Sequence, residues 1–81
     1  MTLYEGQIGK RYLVEGMQME EEIARRLQAL GLIEGTRLKL LNRKRSGSLI
    51  VYVRGTRLAM GKHITSAIEV KEEPQEGKGT E

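Results

Sequence analysis

The chain has 81 residues, of which 38% are hydrophobic and 31% are charged, and this composition favours one globular domain. It contains no cysteine, which excludes disulfides and thiolate metal sites, and no apolar run approaches the ~20 residues of a membrane span. The amino-terminal residues lack the pattern of a secretory signal, so we expect a cytoplasmic protein without direct membrane insertion.

Positive charge is unevenly distributed along the chain. Residues 1–70 carry 12 Lys and Arg against 7 Glu, a net charge of +5, whereas residues 71–81 carry 2 Lys against 4 Glu, a net charge of −2. A basic body is typical of proteins that bind acidic partners, nucleic acid or anionic surfaces. In a small domain, an excess of this size is more often only an ordinary solvated surface.

The first half of the chain predicts one strand and then one well-bounded helix. The strand candidate covers Lys10 to Val14. The helix begins at three glutamates, residues 20–22, where the positive end of the helix dipole favours negative charge. It ends at Gly31, because glycine adopts the left-handed turn after a helix without steric cost. We expect an apolar stripe at helical spacing to pack against a sheet. Its members are Met19, Ile23, Leu27 and Leu30.

The middle of the chain predicts three antiparallel strands, at residues 37–40, 49–54 and 57–60. Residues 42–48 form a polar basic loop, and Gly55-Thr56 fits a two-residue hairpin turn with glycine first. These turns fix a register in which the inner face is apolar throughout. The predicted partners are Leu40 with Val51, Leu38 with Val53, Val53 with Leu58, and Val51 with Met60.

The end of the chain predicts one short helical turn after Gly61 and a last strand at residues 68–70. Residues 72–81 contain no apolar side chain and hold the only proline, so we expect a disordered acidic tail. The expected folded domain is therefore residues 1–71. A compact meander with an inserted helix and extra short strands favours a mainly β fold, a small partly open barrel.

The predicted register also defines an outer face that is not simply polar. It places Leu41 beside Ile50. It also places Arg37, Arg54 and Arg57 in one cross-strand row, and like charges side by side destabilise a sheet. The face combines arginine, tyrosine and aliphatic side chains, as interfaces do. We predict a partner-binding surface there. The alternative is that the short helical segment or the amino-terminal strand covers the aliphatic residues while the arginines extend into water. The members are Arg37, Arg54, Arg57, Tyr52, Leu41 and Ile50.

A second candidate is the basic loop, where Arg43, Lys44 and Arg45 at a hairpin tip would be able to track phosphates. The chain has three tyrosines and no phenylalanine or tryptophan, so it offers few stacking surfaces for bases. Nucleic-acid binding therefore ranks below binding of a protein. A loop that is merely solvated is an equal alternative.

The residue inventory argues against catalysis and against a dedicated metal site. The sequence has no aspartate, no cysteine and one histidine, His63, so nucleophilic triads lack their members. A non-haem iron site typically takes two histidines. Gly61-Lys62 lacks the upstream glycine of a P-loop. We expect no enzymatic activity and no cofactor.

Three segments together resemble the FeoA family of small ferrous iron transport proteins. They are LQALGLIEGTRLKLL at residues 27–41, VYVRGTRLAM at residues 51–60 and the final IEV at residues 68–70, with Gly47 spaced between. The resemblance covers residues 3–71 and implies an SH3-like barrel with one α-helix between its first and second long strands. One departure is Ser48-Leu49 after the loop glycine, where many members have an acidic residue and proline.

The resemblance also implies a function. A FeoA-like chain is expected to be a non-enzymatic accessory protein of ferrous iron uptake that binds a FeoB-type permease on its cytosolic side. The metal would then belong to the partner. From the residues alone, the alternative is a small nucleic-acid-binding barrel of the ribosomal or transcription-factor kind.

Overall fold

The computed structural model describes residues 1–73, which form one five-stranded antiparallel sheet and two α-helices. The elements in chain order are a short 3-10 helix Leu3–Glu5, β1 Arg11–Met17, α1 Glu21–Ala29, β2 Arg37–Arg43, β3 Leu49–Val53, β4 Thr56–Met60, α2 Lys62–Thr65 and β5 Ile68–Glu72. Neighbouring strands follow the order β4-β3-β2-β1-β5. The mainly β fold with a helix between the first two long strands is therefore confirmed.

The core lies on one face of the sheet, where alternate strand residues are buried. This follows from strand geometry, because successive side chains point to opposite faces. The helix α1 adds one buried leucine, and the segment after it adds another. The buried apolar residues are Leu3, Tyr12, Val14, Leu27, Leu32, Leu38, Leu40, Leu49, Val51, Val53, Met60, Ile68 and Val70.

The carboxyl end of α1 is a Schellman motif. The N–H of Leu32 donates to the carbonyl of Leu27, and the N–H of Gly31 donates to the carbonyl of Gln28, each at 2.9 Å. Gly31 has a φ of +97°, which favours glycine. The prediction that Leu30 joins the buried stripe is wrong, because Leu30 is 51% exposed at the C-cap. Leu32 is the buried residue, since the reversal at Gly31 turns it inward.

The hairpin between β2 and β3 departs from the predicted register in its second half. Leu40 pairs with Val51 as expected, but the register then shifts, so that Asn42 rather than Leu41 lies opposite Ile50. An extra residue of this kind bends a strand and increases its twist. Strand β2 consequently runs to Arg43, and the loop is shorter than predicted.

The hairpin between β3 and β4 turns one residue earlier than predicted. The turn residues are Arg54 and Gly55, with φ of +50° and +81°, and Val53 pairs with Thr56. Positive φ at both central residues is typical of a type I′ turn, whose twist matches that of the flanking strands. The predicted β4 partners of Val51 and Val53, Met60 and Leu58, are therefore wrong. The shift is an even number of residues, so the inner face remains apolar.

The last strand extends beyond the predicted boundary at residue 71. Glu72 pairs with Tyr12 in the sheet, and the N–H of Glu73 donates to the carbonyl of Arg11 at 2.9 Å. The remainder of the predicted tail lies outside the described residues. Across the part of the chain that the structure describes, no helix is both long enough and apolar enough to cross a membrane.

Candidate partner-binding surface

The outer face of the sheet carries a row of directly opposed residues, one from each of four strands. Arg11 of β1 pairs with Lys39 of β2, Lys39 pairs with Tyr52 of β3, and Tyr52 pairs with Arg57 of β4. Directly opposed side chains share a face and have Cβ atoms about 4.5–5.5 Å apart. The register therefore places three cations and one tyrosine side by side. We call these four residues the basic row.

A surface pocket of about 780 Å³ adjoins this row. It is lined by four cationic side chains but only one carboxylate, together with an exposed tyrosine ring and a half-buried leucine. Such a mixture favours an anionic ligand with some apolar surface. The lining residues are Arg11, Arg37, Leu38, Lys39, Leu41, Tyr52, Arg54, Gly55 and Glu73.

The single carboxylate of the pocket is held in place from two sides. Glu73 forms an ion pair with Arg37, with 2.6 Å between Oε2 and Nε, and its side chain is only 17% exposed. Its backbone N–H donates to the backbone carbonyl of Arg11, which fixes the main chain of Glu73 beside β1. Among residues 1–73, the four ion pairs that form do not include Arg11, Lys39 or Arg57. Within that range, therefore, no residue of the basic row forms an ion pair.

Arg54 links the β3–β4 hairpin to the carboxyl end of α1. Its side chain passes so close to Gly31 that a Cβ there would collide with the Cδ of Arg54. The last carbonyls of a helix carry partial negative charge, which favours a nearby cation. The predicted row of Arg37, Arg54 and Arg57 is wrong, because Arg54 lies in the turn and Arg57 lies opposite Tyr52.

The structure brings together four of the six residues predicted for this surface. The pocket is lined by Arg37, Arg54, Tyr52 and Leu41. Arg57 lies in the basic row, and Ile50 belongs neither to the pocket lining nor to the row. Sequence reasoning missed Arg11 and Lys39 as site residues. The alternation of charge and leucine in residues 37–40 already predicted an outward Lys39, but the pairing of β1 with β2 was needed to place Arg11 beside it.

The three residues of the predicted basic loop have different surroundings. The guanidinium of Arg43 donates to the carbonyl oxygens of Tyr4 and Gly6 at 2.9 and 3.0 Å. It also lies over the ring of Tyr4, 4.9 Å from the centroid, and the ammonium of Lys62 lies 5.2 Å from the same centroid. Arg43 therefore ties β2 to the amino-terminal segment, and it lies at the end of β2 rather than at the predicted hairpin tip. Lys44 and Arg45 are exposed.

Potential metal ligands are scattered. In the described part of the chain, no three His, Cys, Asp or Glu side chains form a group that could hold a metal ion. The one histidine, His63, is exposed on α2.

The model of the FeoA domain matches residues 1–72 of the chain. The chain belongs to the FeoA family. This membership links it to ferrous iron transport, and the family is an accessory domain of transport rather than a known family of enzymes. No curated protein sequence matches this FeoA-family chain at a significant level.

Solved FeoA structures share this fold. The FeoA protein of Chlorobium tepidum is 32% identical, with a TM-score of 0.86 over 96% of this chain and 76% of that one. The zinc complex of Stenotrophomonas maltophilia FeoA is 30% identical, with a TM-score of 0.75 over 88% of this chain and 89% of that one. That protein is described as a prokaryotic SH3 domain, and the expected SH3-like fold is confirmed.

The fold also occurs as part of larger regulators. A manganese-dependent transcriptional repressor matches with a TM-score of 0.83 at 21% identity, over 90% of this chain and 36% of that one. At this identity the likeness concerns the fold alone.

Proposed function

We propose that this FeoA-family chain is a non-enzymatic accessory or regulatory protein of ferrous iron uptake, which acts in the cytoplasm by binding a FeoB-type membrane permease on its cytosolic side. The family match over residues 1–72 is the observation that carries this proposal. Further support comes from the FeoA of Stenotrophomonas maltophilia, which is described as a candidate ferrous iron transport activating factor.

The outer face of the sheet offers chemistry suited to a protein partner. Tyr52 is 46% exposed beside a pocket that also contains arginines and the half-buried Leu41. Tyrosine and arginine are enriched in protein interfaces and among the residues that contribute most to binding. We propose that this face, with the pocket and the basic row, meets the permease.

The nucleic-acid alternative loses its main support. Arg43 is engaged by backbone carbonyls, which leaves only Lys44 and Arg45 of the predicted loop cluster for phosphates. Any residual affinity for nucleic acid should therefore be weak and should fall steeply with added salt, since it would come mainly from phosphate contacts.

The direct test is co-purification of the tagged chain with the candidate permease from solubilised membranes. We expect the chain to be retained by membranes that contain the permease and not by matched membranes that lack it. Uptake of ferrous iron should change when the chain is deleted and return when it is restored. Equal retention by both membranes, together with unchanged uptake, would contradict the proposal.

Under this proposal the ferrous iron is cargo of the permease and is not held by the FeoA-family chain. One histidine and no cysteine or aspartate leave few ligands that ferrous iron prefers. Anaerobic calorimetric titration of ferrous iron into the isolated chain should therefore show no tight stoichiometric site. Submicromolar binding that is lost in His63→Ala would assign a metal site to this chain instead.

A further inference from the structure

The basic row has an electrostatic cost within the folded chain. Arg11 lies directly opposite Lys39 on the same face of the sheet. Like charges in that position repel and destabilise the pair. Neither residue, nor Arg57, takes part in the ion pairs found within residues 1–73. A bound anion would remove this repulsion, so the row is better suited to a complex with an acidic ligand than to the free chain.

The spacing of the row defines the shape of that ligand. Adjacent strands lie about 4.8 Å apart, so the four residues extend over roughly 14 Å across the sheet. An extended peptide rises about 3.3 Å per residue, and four or five residues would cross the row. Every second side chain of such a peptide faces the same way, about 6.6 Å apart. Acidic residues at alternate positions would therefore face cations along the row.

We propose that the basic row, Arg11, Lys39, Tyr52 and Arg57, is a docking surface for an extended acidic segment of a protein partner. Carboxylates at alternate positions of the segment pair with Arg11 and Lys39 at one end and with Arg57 at the other. The ring of Tyr52 packs between them. Only the identification of this partner as the permease rests on the proposed function.

A protein segment fits this surface better than a nucleic acid does. Tyr52 is the one exposed aromatic residue on this face within residues 1–73, so successive bases would have little to stack on.

The test uses a capped hexaglutamate peptide titrated into the ¹⁵N-labelled chain at low salt. We expect the largest amide shifts at the basic row and a binding constant that falls as salt is added. In the variant Arg11→Gln/Lys39→Gln, the affinity should fall about three- to tenfold, the loss expected for two exposed ion pairs. Arg57→Gln, at the other end of the row, should weaken binding as well.

The matched control is Lys44→Gln/Arg45→Gln, which removes the same net charge from the exposed loop. It should leave the affinity within about twofold, because these residues lie outside the row. Equal weakening by both double variants would show that only net charge matters and would overturn the proposal. Absence of shifts in the row, or absence of binding at low salt, would also overturn it.

Two further measurements separate this inference from its alternatives. Tighter binding of a single-stranded oligonucleotide through the same residues would replace the protein partner with nucleic acid. If Arg11→Gln/Lys39→Gln still binds the permease as the unchanged chain does, the docking surface is wrong and the proposed function stands. If hexaglutamate binds to the row but the permease never retains the chain, the surface stands and the proposed function fails.

Discussion

At Gly31 the chain reverses after α1 and lies against the side chain of Arg54 from the β3–β4 hairpin. The substitution Gly31→Ala should therefore destabilise the fold through two separable effects. The first is the backbone, because Gly31 has a φ of +97°. The second is steric, because the new Cβ would meet the Cδ of Arg54. Gly35 has a φ of +90° and open space around its Cβ position, so Gly35→Ala isolates the first effect.

The magnitudes follow from the geometry. A left-handed backbone costs an alanine about 1–2 kcal/mol, and the reduced entropy of the unfolded chain returns about 0.4–1 kcal/mol. Gly35→Ala should therefore cost about 1 kcal/mol. At Gly31 the side chain of Arg54 must also leave its position, which adds about 0.5–1.5 kcal/mol if a torsion is forced off its rotamer. Gly31→Ala should then cost about 2 kcal/mol, or roughly 8–16 °C in melting temperature.

The assay is urea unfolding followed by circular dichroism, with Gly16→Ala as the matched control. Gly16 does not have a positive φ, and no atom lies within 4 Å of its Cβ position, so its substitution should be nearly neutral. In an Arg54→Ala background, Gly31→Ala should cost no more than Gly35→Ala, because the collision is gone while the backbone effect remains. Equal costs at Gly31 and Gly35 in the unchanged chain would refute the contact with Arg54. Equal costs at all three glycines would refute the left-handed helix end.

The remaining predictions concern stability. Leu27→Ala should cost about 2–5 kcal/mol in unfolding free energy, because Leu27 is 6% exposed within the core; an unchanged urea midpoint would contradict its burial. Arg43→Lys should cost about 1–3 kcal/mol by losing two charge-assisted bonds to backbone carbonyls, whereas Arg45→Lys in the exposed loop should not alter the urea midpoint. Deleting residues 74–81 should leave the melting temperature unchanged, whereas deleting residues 72–81 should lower it, because the backbone pairing of Glu72 and Glu73 with β1 is then lost together with their ion pairs. A similar melting temperature for both truncations would show that these contacts contribute nothing.

Part of the candidate surface could be predicted from the sequence. The outward direction of Arg37, Leu41 and Tyr52 follows from alternation along a strand, which needs only a period of two. The pairing of Arg11 with Lys39 could not be predicted from the sequence, because it joins two strands that are separated by the whole of α1. The structural role of Arg43 was hidden for a related reason, since its partner Tyr4 lies 39 residues earlier.

The sequence by itself determined the order of the elements, the end of the helix and the apolar inner face. These depend on local physics: the conformational freedom of Gly31, the period of leucine and valine along each strand, and the absence of apolar residues after residue 73. The inner face is apolar as predicted although the turn lies one residue earlier than predicted, because an even shift of register does not change which side of the sheet a residue faces.

Only the tertiary structure decided which residues lie beside one another on the outer face. The turn lies at Arg54-Gly55 rather than at Gly55-Thr56, and β2 contains an extra residue at Leu41. Both choices depend on the twist that neighbouring strands must share, which is a property of the whole sheet. The basic row results from that shared register, so it cannot be predicted from the sequence of any single strand.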